Sequence, residues 1–197
     1  HQHVFWLGKD DQFLIDYLDS IGVTRCWLLS WEAVDGGLDH AYQHLSIREV
    51  FQTWERFPDR IIPCAGVDCR RPDAERMLRE CHARGARGYG EIKWHLAYDC
   101  PDAIRMFRLA GELGMPVTLH LQYPNPQLPN WWYGGHIGAI ERALRLCPET
   151  IFLGHAQSWW AHVSGDADNQ WLPNAYPPGP VNPGGEIVRL LSEHDNI

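Results

Sequence analysis

The chain has 197 residues and a formal net charge of −8, with 17 Lys and Arg scattered among 25 Asp and Glu. That balance excludes a nucleic-acid surface, which needs clustered basic residues, and no run of about 18 apolar residues could span a membrane. The 45% apolar content suffices for the core of one domain, expected to cover 1–197.

In chain order, short apolar runs alternate with amphipathic stretches. The first strand is predicted at 3–7, and Phe13, Leu14, Tyr17 and Leu18 then recur at helical spacing over 10–20, before Gly22. A second strand is predicted at 23–29, a helix at 47–57 closed by Pro58, and a third strand at 61–67. Pro72 opens the next helix, which runs to Gly85. The fourth strand is predicted at 89–94, and a helix from Pro101 reaches Gly114. A fifth strand (116–121), a helix (137–146) and a sixth strand (151–156) follow. A Trp- and Pro-rich loop over 157–183 precedes a last helix at 185–194.

Strands alternating with helices imply a parallel sheet, since parallel neighbours need a crossover. A doubly wound sheet usually carries a Gly-rich phosphate loop after strand one, whereas Leu7-Gly8-Lys9-Asp10 contains neither GxGxxG nor GxxxxGK. A barrel instead places functional residues at the carboxyl ends of several strands, where the histidines fall. The expected fold is therefore α/β, a (β/α)8 TIM-barrel type, with about six of its eight β-α units in this chain.

Eleven His and ten Trp are the unusual entries in the composition, and surplus His invites a metal or proton-transfer reading. His1-Gln2-His3 is the sharpest feature, because a strand's period of two sends both imidazoles to one side. His120 and His155 each lie near the end of an apolar strand, and imidazoles gathered on one face suit zinc, or manganese, iron, cobalt or nickel. Glu91 and Lys93 share a face of strand four, either as an inward polar pair at the site or as an ion pair at the strand's end; His95 continues the row or begins the loop. His82 and His194 fall in helical stretches and read as surface residues, while His40 and His44 carry weaker cases. His136, His162, Trp131, Trp132, Trp159, Trp160 and Trp171 occupy loops after strands five and six, as pocket wall or subunit interface. Trp6, His95, Gln122 and Trp159 are the residues expected to contact substrate. Six cysteines without a CxxC pair read as buried thiols, no leader is visible, and a cytoplasmic location is expected.

These motifs resemble the amidohydrolase superfamily, in particular the family 2 branch of aminocarboxymuconate-semialdehyde decarboxylase-like metal-dependent hydrolases. The resemblance runs through HxH, Phe57-Pro58-Asp59-Arg60-Ile61, and Gly85-Ala86-Arg87-Gly88 leading into Glu91-Ile92-Lys93. It continues through Gly114-Met115-Pro116-Val117, His120, and Cys147-Pro148 leading into Gly154-His155. It implies a distorted barrel with one divalent metal, usually zinc, held by His1, His3 and His120, with His155 handling protons or polarising substrate. Glu91 or Lys93 is the alternative strand-four ligand. It also implies an Asp closing strand eight; no Asp here takes that position, so the chain reads as a fragment ending before strand seven, with the barrel unclosed.

The expected activity is hydrolysis of a small carboxylated ester, lactone or amide by metal-activated water, with His155, Lys93 and Glu91 as catalytic groups. Non-oxidative decarboxylation of an aromatic or unsaturated acid is the alternative, and a non-catalytic metal-binding barrel or inactive fragment is the option of another class. The partner is a small-molecule substrate, with homo-oligomerisation of the full-length protein left open.

Overall fold

The computed structural model describes residues 1–34, 45–124, 129–167, 176–177 and 179–197, so His40, His44 and Trp171 lie outside the described residues. Two compact units divide the chain at His1–Glu91 and Ile92–Ile197.

Unit one carries a 3-10 turn (Trp6–Gly8), α1 (Asp11–Ser20), β1 (Cys26–Leu29), α2 (Ile47–Arg56), β2 (Ile61–Ala65), α3 (Ala74–Arg84) and β3 (Gly88–Ile92), whose last residue begins unit two. Asp10 caps α1 by accepting the Phe13 N–H at 2.8 Å, and Ser46 caps α2 by accepting that of Arg48. The pairings β1–β2 and β2–β3 are parallel, with Cys26 opposite Ile61 and Cys64 opposite Gly88. Leu14, Ile15 and Leu18 of α1 pack with Leu28, Val50 and Ile61 into the core of this unit. Burying each such side chain contributes roughly 1.5–3 kcal/mol, and this packing fixes the strand ends that carry the site.

Unit two carries α4 (Pro101–Glu112), β4 (Val117–His120), α5 (Ile137–Leu146), β5 (Phe152–His155), α6 (Gln157–Ala161) and α7 (Glu186–Glu193). Strands β4 and β5 pair in parallel with His120 opposite His155. Phe107 packs edge-on to Phe152 and to Tyr98, joining α4 to the sheet. Every residue of β4 is buried, as a parallel strand covered on both faces requires.

Four expectations are corrected. The run 3–7 is not a strand: Phe5 and Leu7 take left-handed backbone angles (φ 57° and 53°), and only Gln2 pairs with β1, through a single parallel bridge to Leu28. Among the described residues five strands therefore stand where six are predicted. The helix expected from Pro72 starts at Ala74, because residues 71–74 first close a turn through the Ala74 N–H to the Arg71 carbonyl. Inside the expected 157–183 loop, the first residues form the short helix α6. His194 is not a surface residue, its side chain being 12% exposed beside Glu141. The six cysteines are free thiols, as expected, but only four are buried, Cys81 and Cys100 being partly exposed. Among the described residues no helix is long and apolar enough to cross a membrane.

Candidate functional site

In unit one the backbone of Gln2 locks the N-terminal segment alongside β1, its N–H donating to Trp27 and its carbonyl accepting from Leu29. The residues on either side of Gln2 then project together, and the His1 and His3 rings lie 5.5 Å apart. Glu91, near the end of β3, is buried and joins them; one donor atom from each of His1, His3 and Glu91 falls within 4.8 Å of the others. Its backbone N–H donates to the Ser30 carbonyl at 2.7 Å, and Ser30 Oγ accepts from Gly66, so the ends of β1, β2 and β3 are tied together under the site.

The His3 ring faces two acceptors. Nδ1 lies 2.9 Å from the Leu29 carbonyl, and Nε2 lies 2.9 Å from Glu91 Oε2. A neutral imidazole has one N–H and can serve only one of these acceptors, so its other nitrogen faces an acceptor with a lone pair. Either a second proton or a metal cation satisfies that arrangement. A ring oriented by a backbone carbonyl, a second imidazole and a carboxylate form a donor set that fits a divalent ion such as zinc. Trp6 stands edge-on to His3, and a cavity of about 480 Å³ lined by Gln2, His3, Trp6, Lys9, Phe13 and Tyr17 opens beside them.

In unit two, His120 and His155 end adjacent strands with rings 4.9 Å apart and nearly perpendicular. His120 is buried; its carbonyl accepts from Tyr98 at 2.7 Å and its Nε2 lies 3.0 Å from Gln122 Oε1. Gln122 and Tyr133 exchange both backbone hydrogen bonds across an isolated antiparallel bridge, which brings the Tyr133 ring to the centre of a cluster. His95 stacks on that ring at 5.0 Å, His120 meets it edge-on, and Lys93 Nζ lies 5.0 Å above it. Tyr98 and Tyr133 escaped the sequence reading. The Trp131-Trp132-Tyr133-Gly134-Gly135 run was the available signal, but its pairing with Gln122 is a long-range contact that local pattern does not encode.

Unit one thus gathers His1, His3, Glu91 and Trp6, and unit two gathers Lys93, His95, Gln122, His120 and His155. Lys93 is buried just past the end of β3. Trp159 is buried in α6, its indole against Gly154 on the strand carrying His155. His136 is exposed and precedes α5, while His162 Nε2 shares a hydrogen bond with the Tyr123 hydroxyl at 2.8 Å. Burial holds the His162 imidazole below its ordinary range and pushes the Tyr123 phenol up.

No protein-family profile matches the sequence, and no curated protein matches it. Its fold is similar to that of an uncharacterized TIM-barrel protein from Bordetella bronchiseptica (15% identity over 73% of this chain and 50% of that one, TM-score 0.56). A 2,6-dihydroxybenzoate decarboxylase from Rhizobium is similar at 18% identity over 90% of this chain and 65% of that one, with TM-score 0.51. A 2,6-dihydroxybenzoate decarboxylase complexed with 2,6-dihydroxybenzoate gives 19% identity over the same shares and TM-score 0.52. The chain thus spans half the length of the Bordetella protein and 65% of the decarboxylases. At these identities the likeness shows the fold, which is of the TIM-barrel type.

Proposed function

We propose that the chain forms part of a metal-dependent, amidohydrolase-type enzyme that hydrolyses a small carboxylated ester, lactone or amide. The observation that carries this reading is the His3 ring held between two acceptors, with His1 and Glu91 completing a donor set within 4.8 Å. A divalent ion there, zinc first and manganese, iron or cobalt next, supplies Lewis acidity and lowers the pKa of water towards about 7.

His1 and His3 are the proposed ligands in unit one, with Glu91 beside them; the sequence resemblance proposes His120 as a further ligand. His155, half-buried at the end of β5, is the group we assign to hold or pass a proton at the substrate carbonyl. The Lys93 ammonium is assigned to the substrate carboxylate or to developing oxyanion charge. Trp6, His95 and Trp159 are proposed to wall the substrate against water. Six free thiols accord with a cytoplasmic enzyme. A panel of lactones and esters assayed with the zinc-loaded protein tests the reading; turnover lost in both His3→Ala and His120→Ala supports it.

The second reading is non-oxidative decarboxylation, favoured by the two fold neighbours named as 2,6-dihydroxybenzoate decarboxylases. Carbon dioxide release from dihydroxybenzoates, without lactone hydrolysis, would select it.

A further inference from the structure

Gln122 follows His120 by two residues and is 1% exposed, and its place is fixed by the paired backbone hydrogen bonds to Tyr133 at 3.1 and 2.8 Å. Its Oε1 lies 3.0 Å from His120 Nε2. An amide oxygen only accepts, so the hydrogen of this bond sits on Nε2 and the ring presents Nδ1 as its lone-pair nitrogen. The Tyr98 hydroxyl on the His120 carbonyl, at 2.7 Å, steadies the backbone of the same residue, and Tyr133 packs against the ring. His120 is therefore oriented at backbone and ring by groups that are themselves buried. His3 shows the mirror arrangement, with Nδ1 given to a carbonyl and Nε2 facing the site. Within its own unit each ring has its own orienting partner, a carbonyl beside His3 and an amide oxygen beside His120.

We propose that Gln122 is a positioning residue: it fixes His120 in the Nε2–H tautomer and makes Nδ1 the metal-binding atom. The role rests on the metal reading above. It moves Gln122 from contacting substrate to orienting a ligand.

Nitrogen-15 NMR of the metal-free protein reads the tautomer directly, without any loaded enzyme. The expected result is His120 in the Nε2–H form in the wild type, a mixture of tautomers in Gln122→Ala, and recovery in Gln122→Glu, whose carboxylate also accepts. Zinc affinity, measured by chelator competition, should fall about 10- to 100-fold in Gln122→Ala and recover in Gln122→Glu. An Nδ1–H tautomer in the wild type overturns the proposal, and that measurement needs no variant to fold. Unchanged tautomer and zinc affinity in Gln122→Ala also overturn it. If the tautomer depends on Gln122 while neither protein binds zinc, the metal reading fails and the ligand role falls with it, a result distinct from the first two.

Discussion

His3 and Glu91 meet end to end, Nε2 to Oε2 at 2.9 Å, with only 11% and 5% of the two side chains exposed. The opposite nitrogen of His3 is already committed to the Leu29 carbonyl. One hydrogen on a neutral His3 ring cannot serve both the Leu29 carbonyl and Glu91, and a cation held between ring and carboxylate suits that geometry. Replacing the carboxylate by a neutral amide of the same size removes that demand. Glu91→Gln should weaken zinc binding by at least about tenfold, measured by competition with a chromophoric chelator, while the circular dichroism spectrum stays unchanged.

The site also depends on close approach of three strand ends. A Cβ on Gly66 would clash with the Ser30 carbonyl oxygen and crowd that of Glu91 at 3.2 Å. Both obstacles are backbone, so neither can swing aside as a side chain can. Gly66→Ala should destabilise the protein by roughly 1–3 kcal/mol, read from denaturant midpoints, and should weaken zinc binding through displaced Glu91.

Tyr98 is fully buried and its hydroxyl faces two carbonyls, that of Ile92 at 2.5 Å and that of His120 at 2.7 Å. Tyr98→Phe leaves the cavity filled but removes their donor. A loss of about 1–3 kcal/mol is expected in chemical denaturation, together with a smaller change in whatever His120 does.

The half-buried Tyr123–His162 pair makes stability pH-dependent. Burial depresses the His162 pKa in the folded state, with Glu186 opposing in part, so the unfolded chain takes up a proton more readily than the folded one. Stability from this group is present above the ordinary His value of about 6.5 and is lost as pH falls through the folded value. Protonation also leaves Nε2 able only to donate in its hydrogen bond with the Tyr123 hydroxyl. Thermal unfolding should therefore occur at lower temperature below about pH 6, and a His162→Gln protein should show a flatter profile over the same window.

Much of this architecture is readable from local pattern. Helix α5 runs over Ile137–Leu146, as its periodicity predicts, and the alternation at His1-Gln2-His3 does send both rings to one side. What local pattern misjudged is the run Val4-Phe5-Trp6-Leu7. Its hydrophobicity reads as a strand, yet only Val4 enters the core, while Leu7 is 68% exposed at the end of a left-handed turn. Hydrophobicity specifies burial, not hydrogen-bond partners, and this run finds none along β1 beyond Gln2. The partners of the site histidines were equally hidden. Leu29, Glu91, Tyr98 and Tyr133 reach His3 and His120 from elements distant in sequence, and nothing in the spacing of a single chain announces such pairs.

The most direct test of the account is the zinc content of the 197-residue chain after equilibration with excess metal and desalting. A mononuclear site should retain about one zinc per chain, and His3→Ala or Glu91→Ala proteins of native secondary structure almost none. A wild-type chain that retains no zinc, or variants that retain it undiminished, would contradict it.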